Sequence, residues 1–118
     1  MRNQMAITVY EKPSCTACRN LSRFLDDQGI EFESIEYHVT GLTEPEIRGL
    51  LSKAGITASD ALRGREVRAR ELKAEGANED TIVAAMVEDP TLLQRPFVVN
   101  GDRAVLARPV ERALEVIS

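Results

Sequence analysis

The stretch Ala6-Ile7-Thr8-Val9-Tyr10-Glu11-Lys12-Pro13-Ser14-Cys15-Thr16-Ala17-Cys18-Arg19 decides the fold. Its first five residues are a short β-prone run, and at Lys12-Pro13-Ser14 the chain must turn. From Thr16 onward Ala17, Cys18, Leu21, Phe24 and Leu25 recur at intervals of three and four, with Gly29 placed to end the pattern. Phe32, Ser34 and Glu36 then alternate with Glu31, Glu33 and Ile35 in a β-like stretch ending near Tyr37. The opening unit therefore reads β-α-β, which predicts parallel pairing with a right-handed crossover.

Outward from this unit the signals stay regular. Thr43 followed by Glu46 is a capping-box pattern, and Ile47, Leu50, Leu51 and Ala54 supply a helical stripe ending at Gly55. A second helical stripe runs from about Asn78 through Ile82, Val83, Met86 and Val87 and stops at Asp89-Pro90. Met86 in such a stripe is expected in the core. Phe97-Val98-Val99 and Ala104-Val105-Leu106 flank Asn100-Gly101-Asp102, and an Asn-Gly between apolar runs predicts a hairpin. A last helix is expected from Pro109, with Val110, Ala113, Leu114 and Ile117 facing inward. The order is β-α-β, helices, β-β-α: an α/β chain, read as a single domain over residues 1–118.

The chain's 118 residues suit one core rather than two. With 43% apolar and 29% charged residues it falls in the ordinary globular range, which argues against disorder and fibrous classes. Fifteen Lys and Arg against nineteen Asp and Glu leave a net charge of −4, and only five residues are aromatic, so no direct nucleic-acid ligand is expected. The longest apolar run, Ile82 to Val87, is far short of a membrane span of about 20 residues. Met1-Arg2-Asn3-Gln4-Met5 lacks the apolar core of a signal peptide, so a cytoplasmic location is expected.

In such a reducing compartment, a pair like Cys15 and Cys18 is more often reactive or metal-binding than a structural staple. Cys15 falls at or next to the first turn of a helix, where unpaired N–H groups and the helix dipole favour thiolate over thiol. Arg19, four residues on, shares that face and can add a positive charge; Cys18 shares it too and can close a disulfide with Cys15. A structural zinc site needs about four ligands, and beyond this pair the chain offers one histidine, His38, in another segment. An inert buried pair is the other alternative, but the strand-to-helix turn favours a redox-active one. No bound metal is expected, and His38 reads as structural.

The second constellation is cationic. Arg63, Arg65, Arg68, Arg70 and Lys73 stand against Glu66 and Glu71, a local excess that also fits a solvated helix face with ion pairs. Arg95 precedes Pro96 at the entrance to a strand, and Arg108 precedes Pro109 at the entrance to a helix. These are element ends, where functional groups gather, and guanidinium matches tetrahedral oxyanions.

Taken in order, Pro13-Ser14-Cys15 with Arg19-Asn20, Ala61-Leu62-Arg63-Gly64-Arg65-Glu66, Gln94-Arg95-Pro96-Phe97-Val98-Val99 and Ala107-Arg108-Pro109 resemble the successive motifs of the glutaredoxin-coupled arsenate reductases. The resemblance runs from Ile7 to Ile117. It implies a thioredoxin-like fold: a mixed four-stranded sheet with a helical subdomain inserted at about residues 41–93, and Pro96 as the fold's cis-proline. It implies that Cys15 attacks arsenate or a related oxyanion, and that Arg63, Arg95 and Arg108 bind it. Arg65, two residues along, is a close rival for the Arg63 role. It further implies glutathione or another thiol reductant as co-substrate, with no bound cofactor, and recycling through glutaredoxin or thioredoxin.

Two departures stand out. Where these reductases usually carry a histidine four residues before the nucleophile, this chain has Glu11, and a carboxylate close to Cys15 would raise its pKa. Many of them also lack a cysteine at the position of Cys18. There the chain is more similar to the Spx-type transcriptional regulators, a sister branch whose disulfide governs binding to RNA polymerase. Spx-type proteins, however, lack the late Arg-Pro found here as Arg108-Pro109. Two expectations follow: an arsenate reductase-type oxidoreductase, with Cys18 or a small thiol resolving the adduct, or a redox-sensing regulator.

Overall fold

The computed structural model describes residues 7–117. Residues 1–6, including Ala6 at the expected start of the first strand, lie outside them, as does residue 118. The first strand, β1 (Ile7–Glu11), is followed by α1 (Thr16–Asp27), β2 (Glu33–Glu36), a one-turn α2 (Tyr37–Thr40), α3 (Glu44–Ala54), α4 (Val67–Ala74) and α5 (Glu79–Glu88). A 3₁₀ turn (Pro90–Leu92), β3 (Phe97–Asn100), β4 (Arg103–Leu106), a second 3₁₀ turn (Val110–Ala113) and α6 (Leu114–Ile117) complete it.

The strands form one sheet in the order β2-β1-β3-β4. β1 pairs parallel with β2, Val9 opposite Ser34, and antiparallel with β3, Tyr10 opposite Phe97. β3 and β4 form the antiparallel hairpin, Val98 opposite Val105. This is the mixed four-stranded sheet of the thioredoxin-like fold.

Strand alternation divides the core between the two faces. Ile7, Val9, Val98 and Val105 pack under α1, through Leu21 and Leu25, and under the C-terminal Ala113 and Val116. Phe97, with Tyr10, Ile35, Val99 and Leu106 against it, meets the other cluster, built from Tyr37, Ile47, Leu50, Leu72, Ile82, Met86 and Leu93. Met86 is fully buried there.

Local chemistry accounts for several boundaries. Thr43 caps α3 through a reciprocal box with Glu46, and Gly55 ends it in the left-handed region at φ 68°. Asn78 caps α5 by accepting from the Thr81 N–H.

Four details differ from the sequence reading. β2 begins at Glu33, two residues later than its alternation, and ends at Glu36, where Tyr37 turns inward and opens α2. The hairpin turns on Gly101-Asp102, with Asn100 already paired to Arg103 and Gly101 at φ 66°; positive φ at the first loop position alone is the type II′ pattern rather than the Asn-Gly one. Val87, expected on the inner stripe of α5, is 39% exposed. Pro109 is not the first residue of an α-helix but the cap of a 3₁₀ turn. Three residues per turn shift the helical phase, so Val116 is buried and Leu114 is 43% exposed.

Candidate active site

Cys15 is the N-cap of α1, in extended backbone at φ −81° and ψ 125°. Its N–H donates to the Lys12 carbonyl at 2.9 Å, closing the turn after β1, and its carbonyl accepts the first helical bond from Arg19 at 3.0 Å. The sulfur thus sits over the free N–H groups of the first turn. Burial pushes the Cys15 thiol up, but the Cys18 and Ala17 amides, the Cys18 thiol as hydrogen-bond donor and the Arg63 guanidinium together bring it below the ordinary value.

Cys18 lies on the inner stripe of the same helix with no exposed surface. Burial drives its pKa up to about 12, and the neighbouring Cys15 and the Glu11 charge push the same way, while the Lys12 N–H opposes them. Both cysteines are free thiols. Glu11, expected to bear on Cys15, acts instead on Cys18. The reason is the β1 alternation, which turns Glu11 inward with Ile7 and Val9, and there the Ser34 hydroxyl donates to its Oε2.

The arginines separate by environment. Residues 61–63 run beside 92–94 as an isolated antiparallel bridge, Leu62 opposite Leu93. The Arg63 N–H donates to the Leu92 carbonyl at 2.8 Å. This bridge brings Arg63 to Cys15, with Nη1 donating to Gln94 Oε1 at 2.9 Å and Nε 4.0 Å from Glu66 Oε2. Arg65 lies beyond the bridge in the exposed turn before α4, where its carbonyl accepts from Arg70. Arg68, on α4, is paired with Glu71 and Glu75, so this part of the cationic run is the solvated helix face.

Arg95 is only 2% exposed. Its Nη1 donates to the Tyr37 hydroxyl at 3.1 Å and to the carbonyls of Thr91 and Leu93 at 3.2 and 3.3 Å. Burial opposes its charge, but Tyr37, Cys15 and Cys18 more than compensate and its pKa is raised. The Nε atoms of both Arg63 and Arg95 are buried without a hydrogen-bond partner. The Arg95-Pro96 peptide is cis, and so is Arg108-Pro109. Arg108 is an exposed residue, with Nη1 donating to the Arg95 carbonyl at 2.9 Å, so it joins the group through the backbone. Arg19 turns elsewhere: its Nη atoms meet the Pro13 carbonyl at 3.2 Å and Thr16 Oγ1 at 3.4 Å, tying the turn to the helix.

Two residues of this network were not singled out by sequence reading. Tyr37 is fully buried; its hydroxyl donates to the Leu93 carbonyl at 2.6 Å while receiving from Arg95. Burial, partly offset by Arg95, raises its pKa to about 12. Its one sequence signal is an aromatic hydroxyl closing a Glu-rich stretch. Gln94 holds the Arg63 guanidinium and the Arg95 N–H with one oxygen. Among the described residues no group of three or more His, Cys, Asp or Glu side chains is arranged to hold a metal ion, and no helix is long and apolar enough to cross a membrane.

Over nearly its whole length the chain is similar to known proteins. It is 31% identical to the uncharacterized protein YfgD of Escherichia coli, over 94% of this chain and 96% of that protein. It is 34% identical to the arsenate reductase ArsI2 of Synechocystis, over 94% of this chain and 81% of that one. The solved arsenate reductase from Vibrio cholerae superposes with a TM-score of 0.89 at 31% identity, covering 98% of this chain and all of that one. The ArsC family model matches residues 10–116, from the end of β1 to the C-terminal helix, and the chain belongs to the ArsC family.

Proposed function

We propose that the chain is a thiol oxidoreductase that reduces arsenate, or a related tetrahedral oxyanion, at Cys15. The observation that carries this reading is that two guanidinium groups, Arg63 and Arg95, each hold a buried Nε that makes no hydrogen bond, beside a thiol whose pKa is lowered. Buried donors left without acceptors are costly, and an oxyanion supplies acceptors and charge together.

In the first step the Cys15 thiolate displaces a hydroxyl group of arsenate, which leaves as water after taking a proton, and an S–As bond forms. Arg63 and Arg95 neutralise the charge on the remaining oxygens, and Arg108 closes the third side. A second thiol then attacks the Cys15 sulfur. The S–As bond breaks with its electron pair on arsenic, arsenic leaves as arsenite, and two thiols have become a disulfide. The second thiol is Cys18 or an external one such as glutathione, and glutaredoxin or thioredoxin restores the thiols. No bound cofactor enters this cycle, and it belongs in the reducing cytoplasm. Arg19 supports the thiolate indirectly by fixing the turn, and Pro96 shapes the wall beside it.

The Cys15 and Cys18 contact favours a second reading, a redox-sensing regulator of Spx type whose disulfide sets its affinity for RNA polymerase. NADPH consumption coupled to arsenate, with glutathione and glutaredoxin or with thioredoxin, separates the two. Turnover lost in Cys15→Ala and reduced about 10²- to 10³-fold in Arg63→Gln or Arg108→Gln supports the enzyme. No turnover with either system, together with RNA polymerase binding by the oxidised protein, overturns it in favour of the regulator.

A further inference from the structure

The site contains one buried carboxyl group to which the cycle above gives no task. Glu11 is 8% exposed, and it and Arg95 are the buried charged side chains among the described residues. It ends β1 on the face that carries Ile7 and Val9, directly under α1, whose inner stripe begins with Cys18. The peptide linking Glu11 to Lys12 presents its N–H to the Cys18 sulfur. The Ser34 hydroxyl holds Oε2 of Glu11, a neutral partner that anchors the carboxylate without cancelling its charge.

Cys18 needs such a neighbour if it is to act. Thiolate, not thiol, attacks a sulfur, and Cys18 is buried with its proton held to about pH 12. From α1 it faces Cys15, from α2 Tyr37, and from the segment before β3 Arg95; Glu36 stands opposite Glu11 on β2. Tyr37 is itself a weaker acid than usual and already donates to Leu93, and Arg95 has no proton-accepting atom. That leaves Glu11.

We propose that Glu11 is the base that takes the proton of Cys18 as Cys18 attacks the Cys15 sulfur. In this step the S–H bond of Cys18 breaks and its proton passes to the Glu11 carboxylate. The Cys18 electron pair forms the Cys15–Cys18 bond, and the group on Cys15 departs with the old bonding pair. Glu11 then returns the proton to the departing group or to water. The inference rests on the reading of Cys18 as the resolving thiol and replaces the expectation that Glu11 works against Cys15.

The test uses the full chain and no oxyanion, so its outcome is independent of whether arsenate is the substrate. Cys15 is first converted to a mixed disulfide with a chromogenic nitrothiobenzoate, and the release of that thiolate by Cys18 is followed against pH. A base at Glu11 predicts a release rate that is level across the neutral range. Direct ionisation of Cys18 predicts instead a rise of about tenfold per pH unit. In Glu11→Gln the base reading predicts release slowed on the order of 10²-fold at neutral pH. A purely electrostatic Glu11 predicts the reverse, because removing its charge makes Cys18 easier to ionise. A steep rise in the native protein, or release unchanged or faster in Glu11→Gln, overturns the proposal. If Glu11→Gln does not fold, the native pH profile decides alone.

Discussion

Cys15 and Cys18 carry the same side chain one helical turn apart, yet their thiols are driven in opposite directions. Cys15, at the cap, sees the free amides of the first turn and the Arg63 guanidinium; Cys18, on the inner stripe, sees apolar packing and Glu11. The Cys18 hydrogen is part of what holds the Cys15 charge, so the difference reinforces itself: the thiol that stays protonated helps the other to ionise. The sign of the pH dependence follows. Alkylation proceeds through thiolate, so the rate at Cys15 rises with pH through its pKa, and a lowered pKa puts the midpoint below that of an ordinary cysteine thiol. Cys18→Ala removes a hydrogen-bond donor and Arg63→Gln a positive charge, and each moves that midpoint to higher pH. Iodoacetamide labelling against pH, read by mass spectrometry, checks both; a midpoint unmoved in both variants means the helix amides act alone. How far the residue scale was legible in the sequence depended on distance. The amide and Cys18 part of the Cys15 environment is made within one helical turn and could be read locally, whereas its positive charge comes from distant Arg63 and not from Arg19 as the spacing suggested. The target of Glu11 depends on which face of β1 meets α1, and the choice between Arg63 and Arg65 on a bridge to residues some thirty positions away.

At the scale of elements, the same rule divides what local chemistry specifies from what packing imposes. α3 is bounded by its own residues, Thr43 and Glu46 at one end and Gly55 at the other, and it was legible from sequence. The last helix was less so, because the 3₁₀ turn that resets its phase follows from docking Ala113 and Val116 under β1, β3 and β4. α2 exists because Tyr37 is drawn into the core toward Leu93 and Arg95, a tertiary cause that periodicity does not show. The capping box gives a direct check on the local case. Thr43→Ala removes the oxygen that accepts from the Glu46 N–H at 3.3 Å and is expected to destabilise the protein by about 1 kcal/mol. Urea unfolding should show a lower midpoint with an unchanged slope. α3 packs against α5 and β4, away from the cysteines, so Cys15 labelling should not change. A midpoint within error of the native one would mean that the cap is redundant with the packing of Ile47, Leu50 and Leu51.

At the scale of the whole molecule, charge is distributed against its own average. The chain carries a net charge of −4, so at long range it repels anions. The sheet and the 62–93 bridge nevertheless bring Arg63 and Arg95, from far apart in sequence, to the one ionising thiol, and Arg108 binds to the Arg95 backbone beside them. Which field an incoming anion obeys depends on distance and screening. At contact range, in the partly desolvated site, a guanidinium is worth several times what it is in bulk water, whereas the net charge acts over lengths that salt controls. Iodoacetate and iodoacetamide attack the same sulfur and differ in one negative charge, so their rate ratio at Cys15, divided by the ratio at a small free thiol, measures the local field. We expect that normalised ratio to favour iodoacetate by about tenfold at low ionic strength, to shrink toward unity as the Debye length falls from about 30 Å to about 3 Å, and to drop in Arg63→Gln. A ratio that favours iodoacetamide, growing closer to unity with salt, would show the net charge prevailing at Cys15, and a site that repels anions is no place for an oxyanion to meet its nucleophile.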